Sequence, residues 1–280
     1  MSSSPRAEPA LPRVAVLGRG RVGHALAQAL RAADVGVTGP RSARDFTDIV
    51  DLATNHDLLL LTVPDDAIPD VVAALAGRLS LSSATAVVHC SGAVSIEALA
   101  PLAALGAQTG SWHPLQAFPF VGTPLRPGIT MAVTAAEPLR TLLLDLAERI
   151  AAVPMILADV DKPRYHAAAV LAANYSITLA ALASRLLQEA GCADPVAAVT
   201  ALQASNVEGL AAVGLPGALT GPLVRGDLGT IRRHLEALAD TEADGVYRTL
   251  GLSTLSLVAE RGGDPETIRA ARTLLEGPSR

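Results

Sequence analysis

Aromatic side chains are nearly missing from this 280-residue chain, which has three phenylalanines, three tyrosines and one tryptophan. Its interior must therefore be built from Ala, Val and Leu, and apolar residues reach 50% of the sequence, enough for a sizeable core. Cysteine is scarce as well. Cys90 and Cys192 stand far apart and offer neither a metal-ligand spacing nor a disulfide framework, so no metal is expected and a reducing cytoplasm is the default setting. Positive charge is not in excess. The net charge of −5 argues against a nucleic-acid partner. No uninterrupted apolar run approaches the ~20 residues of a bilayer span. Residues 1–12, rich in Ser, Pro and Ala, lack the apolar stretch of a signal peptide and read as a loose tail. These absences predict a soluble cytoplasmic protein with no membrane partner.

What is present begins at Arg13. The β-branched run Val14-Ala15-Val16-Leu17 leads into Gly18-Arg19-Gly20-Arg21-Val22-Gly23 and then a helix-like apolar pattern. Strand, G-x-G-x-x-G and helix in that order are the context that gives the motif weight as a dinucleotide site. Gly18 permits the tight turn, Gly20 lets backbone approach a pyrophosphate, and Gly23 lets helix and strand pack closely. The second strand, read as Asp34–Thr38, ends in Gly39-Pro40-Arg41-Ser42 and not in the acid that would take the ribose hydroxyl of NAD. A guanidinium and a hydroxyl there suit a 2′-phosphate, so Arg41 and Ser42 are expected to clamp NADP(H) in preference to NAD(H), with Arg19 and Arg21 adding charge. The alternative is that these arginines only solvate the surface.

Strand and helix patterns alternate to about residue 160, as a doubly wound, mainly parallel α/β sheet requires. Leu58–Leu61 has the two-sided apolarity of a central strand, which places Val63, Pro64 and Asp65 at the carboxyl edge where ligands bind. Strand Ala86–Cys90 brings Ser91 and Gly92 to the same edge. A strand near Ala107–Thr109 leads into a segment that gathers Trp112, Phe118 and Phe120 around His113 and Gln116, either as one wall of a nicotinamide pocket or as a plug of core aromatics. Strands at Gly128–Val133 and Val153–Leu157, separated by a helix from Glu137 to Ile150, complete the sheet.

From residue 161 to 280 the pattern is helical only. A run without glycine extends from Pro163 to Ala190, followed by helices at Val196–Val213, Leu228–Ala239, Glu242–Glu260 and Pro265–Leu275. Their surfaces are too apolar to be fully solvated, which predicts a substrate domain that also forms a homodimer. Among 22 basic side chains only one is a lysine, Lys162, at the start of this region. Lysine in a dry site can act as a general acid where arginine cannot, although its retention by chance explains the count equally well. On one continuous helix Lys162 and His166 stand about 40° apart, and His166 and Asn174 about 80°, so the three face one side. Later, Arg225-Gly226-Asp227 forms a turn before a helix. Arg225 is a candidate fork for the carboxylate of a small anionic substrate, or else a partner of Asp227 where Asp227 caps the helix.

Together, Gly18–Gly23, Ser91-Gly92-Ala93, His113-Pro114-Leu115-Gln116, Tyr165-His166-Ala167-Ala168-Ala169 with Asn174, and Thr220-Gly221-Pro222 with Arg225-Gly226-Asp227 resemble the Rossmann-like family whose C-terminal half is domain of unknown function 2520. The resemblance implies an NADP-type Rossmann domain, residues 13–160, joined to an all-α domain similar to that of 6-phosphogluconate dehydrogenase, with the active site between them. Some members are linked to ketopantoate reduction, and wider relatives include 3-hydroxyacid dehydrogenases and pyrroline-5-carboxylate reductases. The hydroxyacid dehydrogenases carry Lys-x-x-x-Asn on the first helix of the second domain, but the residue four before Asn174 is Val170. Lys162 or His166 would then protonate the product, with Asn174 orienting its oxygen and Ser91, Gly92, His113, Gln116 and Arg225 on the substrate. The expected activity is NADPH-dependent reduction of a small 2-oxo acid. An imine reductase of the pyrroline-5-carboxylate type and a non-catalytic NADP-binding sensor or scaffold are the alternatives.

Overall fold

The computed structural model of the protein describes residues 11–42, 46–77 and 85–277, with no side-chain account for 46–49. Of the expected tail, residues 1–10 lie outside the described residues. The chain divides into two compact units between Asn174 and Tyr175.

The first unit is built on strands β1 (Val14–Leu17), β2 (Val37–Arg41), β3 (Leu58–Leu61), β4 (Ala86–His89), β5 (Gln108–Pro114), β6 (Thr130–Ala135) and β7 (Val153–Ile156). Their order is β2-β1-β3-β4-β5-β6-β7, and every neighbouring pair is parallel except β5 with β6. The reversal follows from the connection: no crossover helix stands between β5 and β6, so the chain folds back beside the strand it has left. Helices α1 (Arg21–Ala32), α2 (Phe46–Asn55), α3 (Ile68–Ala76), α4 (Ala100–Ala103), α5 (Leu139–Arg149) and α6 (Lys162–Ala172) also belong to this unit.

Side chains alternate across a strand, so each central strand feeds two cores. Val14, Val16, Leu58 and Leu60 join Leu26 and Leu30 of α1 and Leu143 and Leu146 of α5 on one face. Ala15, Leu17, Leu59 and Leu61 join Ile68, Val72 and Leu75 of α3 and Leu102 of α4 on the other. The all-leucine β3 is thus apolar for a double reason, and each of its buried side chains contributes about 1.5–3 kcal/mol of transfer free energy.

Three details differ from the sequence reading. The second strand starts at Val37, not Asp34, and runs on through Gly39 and Pro40 to Arg41. Its register on β1 slips between Ala15 and Leu17, and Pro40 is accommodated because β2 is an edge strand. β5 continues through Trp112 and His113, so the segment expected to leave the sheet after Thr109 stays in it. Trp112 is fully buried in the core, Phe118 is buried, and Phe120 is exposed, which makes the aromatic group a plug and not one continuous wall. Finally, the helix expected from Pro163 to Ala190 breaks at Ala173 into α6 and α7 (Asn174–Glu189), and α6 remains with the first unit. The unit boundary therefore falls later than residue 160.

The second unit contains most of α7 together with α8 (Pro195–Val213), α9 (Pro222–Arg225), α10 (Leu228–Leu238), α11 (Glu242–Glu260) and α12 (Pro265–Glu276). Ile231, Leu235, Leu255, Ala271 and Leu275 form its core. A Cβ at Gly251 would lie 2.8 Å from Leu275 Cδ2, so glycine there permits close packing of α11 on α12. By contrast α7 buries no residue and α8 buries only Val199. The stretches Asp159–Glu189 and Pro195–Val213 are long and apolar enough to cross a membrane by length and composition alone.

Candidate active site

β1 delivers the chain into Gly18 at the carboxyl edge, where φ is +121° and a Cβ would stand 2.5 Å from the Thr62 carbonyl oxygen. At Gly23 a Cβ would stand 2.2 Å from the Gly18 carbonyl oxygen. Both positions require glycine because backbone occupies the space. Gly20 differs: its nearest protein atom would be 3.8 Å away, so the room beside it is open to a ligand. It is also the N-cap of α1, with no side-chain cap and no acid in the first turn, which leaves the helix N-terminus free to face an anion. The Thr62 hydroxyl lies 3.0 Å from both the Leu17 and the Gly18 carbonyl oxygens and fixes the turn to β3. These features fit a dinucleotide pyrophosphate.

The cavity beside this loop measures about 800 Å³ and is lined by Arg19, Arg21, Val22, Ser42, Val63 and Pro64 among others. The Arg41 carbonyl accepts the Gly18 N–H at 2.8 Å, so the end of β2 is tied to the glycine turn while the Arg41 side chain remains exposed. Asp65 does not line this cavity. Its carboxylate accepts a 2.8 Å hydrogen bond from the Ser91 hydroxyl, whose oxygen also accepts the N–H groups of Ala93 and Val94. The cofactor role expected of Asp65 and the substrate role expected of the Ser91 hydroxyl are thus displaced by a turn that ties β3 to β4. Gly92 lies under the His113 ring, where a Cβ would come within 2.9 Å of Nε2.

Lys162 is 1% exposed and does not line the cavity that holds His166 and Asn174. Its Nζ donates to Ser111 Oγ at 2.7 Å and to the Ser91 carbonyl oxygen at 3.4 Å. Burial lowers its pKa, while the carboxylates of Asp159 and Asp65 pull the other way. The expected proton-donor role is corrected here: Lys162 is bonded to Ser111 of β5 and to the Ser91 carbonyl just after β4, and it does not line that cavity. Beside it, burial first and then the Lys162 charge hold the His89 pKa down at about 4, and burial pushes the Cys90 thiol up to about 12.

The remaining site residues meet around a cavity of about 470 Å³ formed by the end of β5, the following loop and α6. His113, Gln116, Tyr165, His166 and Asn174 line it. Asn174 stands beyond the helix break, so the arc drawn for one continuous helix does not apply, yet it reaches the same cavity. Gln116 is committed to its own loop: its amide nitrogen donates to the Pro124 carbonyl and its oxygen accepts the Arg126 N–H, both at 2.9 Å. His113 Nδ1 lies 2.8 Å from the Tyr165 hydroxyl, with the rings edge-on. Burial and then the charge of His166 lower the His113 pKa to about 4, and burial raises that of Tyr165 to about 12. His166 Nδ1 is buried with no hydrogen-bond partner.

Arg225 belongs to the second unit, where it lines a separate cavity of about 220 Å³. Asp227 caps α10 through the Thr230 N–H at 3.0 Å, which decides that residue's part of the open alternative. Among the described residues no cluster of His, Cys, Asp and Glu could hold a metal ion.

Two family models match the chain. A Rossmann-like domain covers residues 2–114, and a domain of unknown function, DUF2520, covers residues 129–254. The chain belongs to the Rossmann-like family that carries DUF2520. In this family member the DUF2520 match begins inside the sheet, taking in β6, α5, β7 and α6, and so spans both compact units. Similar solved structures include a protein from Thermotoga maritima (22% identity, TM-score 0.68, 89% of this chain and 99% of that one). A Bacteroides fragilis protein assigned provisionally as an NADP oxidoreductase is similar at 20% identity (TM-score 0.66, 89% and 98%). Plasmodium falciparum pyrroline carboxylate reductase with NADP bound is similar at 13% (TM-score 0.55, 95% and 96%). At these identities the likeness establishes the fold. A search of curated protein sequences finds no match.

Sequence reasoning passed over two residues in this DUF2520 protein. Thr62 was hidden at the end of a leucine strand, where a hydroxyl at the carboxyl edge was the available signal. Tyr165 entered only as part of a motif, with no role of its own; its hydroxyl reaches His113 of β5.

Proposed function

We propose that this protein is an NADPH-dependent reductase of a small 2-oxo acid, with ketopantoate as the first candidate. One observation carries the reading: the glycine cradle and the cavity around His113, Tyr165, His166 and Asn174 open at the same carboxyl edge of one sheet. The ends of β1 and β5 are three strand spacings apart, ~14 Å, a span that one extended dinucleotide covers. Gly18, Gly20, Gly23, the start of α1, Arg19 and Arg21 would hold the pyrophosphate. Arg41 and Ser42 would take the 2′-phosphate, and Val63 and Pro64 would wall the site. The reduced nicotinamide, when bound, supplies a hydride. Asn174 would then orient the substrate oxygen, and a group on α6 would protonate it.

A second reading, reduction of an imine, is favoured by one feature. No arginine or lysine lines the cavity around His113 and Asn174, so a neutral C=N group is accommodated there without a buried cation. The Plasmodium relative's reductase name accords with that reading. The deciding experiment follows NADPH consumption against ketopantoate, other 2-oxo acids and pyrroline-5-carboxylate. Turnover of an oxo acid supports the first reading, turnover of the imine alone supports the second, and tight NADPH binding without any turnover supports a sensor or scaffold.

We also infer a homodimer through the second unit. Ile177, Leu202 and Val207 are 71%, 62% and 66% exposed. Gln203, Ser205, Asn206 and Glu208 lie within α8, a polar content that suits a second copy better than lipid. Sedimentation in detergent-free buffer tests this: a monomer, or aggregation relieved only by detergent, refutes it.

A further inference from the structure

Tyr165 on α6 and His113 on β5 form a pair joined by a 2.8 Å contact between the phenol oxygen and Nδ1, and both line the cavity with Asn174. A hydrogen bond at this distance runs in one of two directions. Either the phenol donates to a bare Nδ1, or a protonated Nδ1 donates to the phenol oxygen. The first direction puts the ring proton on Nε2, beside Gly92, and spends the phenol O–H on the ring. The second leaves a lone pair at Nε2 and makes Nδ1–H the donor to the phenol oxygen. It also leaves the phenol O–H unspent and directed at the cavity.

We propose that Tyr165 is the proton donor of the reduction and that His113, through Nδ1–H, holds the phenolate that forms. This rests on the reductive reading given above. As a hydride forms the new C–H bond at the carbonyl carbon, the π electrons of the C=O bond move to oxygen. That oxygen takes the Tyr165 proton, the phenol O–H bond breaks, and the phenolate keeps the Nδ1–H hydrogen bond until solvent reprotonates it after product leaves. The other candidates are weaker on geometry. Lys162 is bonded to Ser111 and Ser91 outside the cavity, and the buried Nδ1 of His166 has no partner to support an imidazolium.

The groups facing the pair are His166, 6.5 Å from His113 between ring centroids, Lys162, whose charge acts on His113, and His89 at the end of β4, on which the His113 charge acts. Asp161 and Arg164 pair with each other at 3.9 Å on the exposed start of α6. Because burial raises the phenol to about 12, the donor stays loaded from neutral pH to about pH 10, whereas an imidazolium donor empties above its ordinary pKa of about 6.5.

Two readouts are needed. In the protein without cofactor, heteronuclear NMR of His113 should show the neutral tautomer protonated at Nδ1, and the last of the tyrosinate titration steps should vanish in Tyr165→Phe. Finding the proton on Nε2 overturns the proposal. In single turnovers with the substrate found by the panel, Tyr165→Phe should slow reduction by about 10²–10⁴-fold with NADPH affinity unchanged, and the wild-type rate should be flat from neutral to about pH 10. A wild-type reductase whose Tyr165→Phe form keeps its rate refutes the donor assignment alone. Wild-type protein that binds NADPH and reduces nothing refutes the reductive reading and the proposal with it.

Discussion

Acidification probes the buried edge of the sheet most directly, through His89. The residue ends β4 with no exposed surface; its Nδ1 accepts the Ser91 N–H at 3.2 Å and its Nε2 has no partner. Protonation would put a positive charge into this interior near Lys162 and would turn Nδ1 into a donor facing a donor. Its folded pKa of about 4 lies below the ordinary 6.5, so between those values the unfolded chain binds a proton that the folded chain refuses. Stability is therefore complete above pH 6.5 and falls as pH drops toward 4. At 1.36 kcal/mol per unit the shift is worth about 3 kcal/mol, a substantial part of the ~5–15 kcal/mol that holds a typical domain. Urea midpoints measured from about pH 7.5 to about pH 4.5 should decline for the wild type. His89→Asn keeps an acceptor near Ser91 but cannot titrate, so it should be less stable at neutral pH and show a shallower decline, short by about one proton. Parallel slopes for the two proteins would refute the reasoning.

The cofactor loop provides three further tests. Gly23→Ala drives a methyl group into the Gly18 carbonyl and should abolish NADPH binding while lowering the melting temperature, as read by fluorescence titration and calorimetry. Thr62→Val removes a hydroxyl from two buried carbonyls and should cost about 1–3 kcal/mol in denaturant unfolding, with weaker NADPH binding. Arg41→Ala should weaken NADPH by about tenfold or more and leave NADH affinity unchanged, because only NADPH presents a 2′-phosphate to the fork; equal losses for both would show that Arg41 does not read that phosphate.

The parts of this protein legible in one dimension are those decided by neighbours in sequence. Gly18, Gly20 and Gly23 announced the cradle because their spacing is that of one turn and the start of one helix. Leu58–Leu61 announced a central strand because both faces of a parallel sheet are buried. In the second half, Glu242–Glu260 was bounded correctly since its apolar repeat and its end are local properties. The break at Ala173 was invisible for the same reason: an Ala-rich segment is a good helix former on both sides of it, and no glycine or proline marks the place.

The amino-acid order by itself thus determined the fold class, the glycine cradle and the helical second half, because periodicity, turn residues and burial pattern act within a few positions along the chain. The roles of single polar residues were decided by tertiary structure, because they rest on partners brought from far away. Lys162 became a buried tie through Ser111, 51 positions distant; Ser91 and Asp65 engaged each other across 26; and Tyr165 found His113 across 52. A side chain's chemistry is set by what desolvates it and what it bonds to, and those neighbours exist only after the sheet has formed.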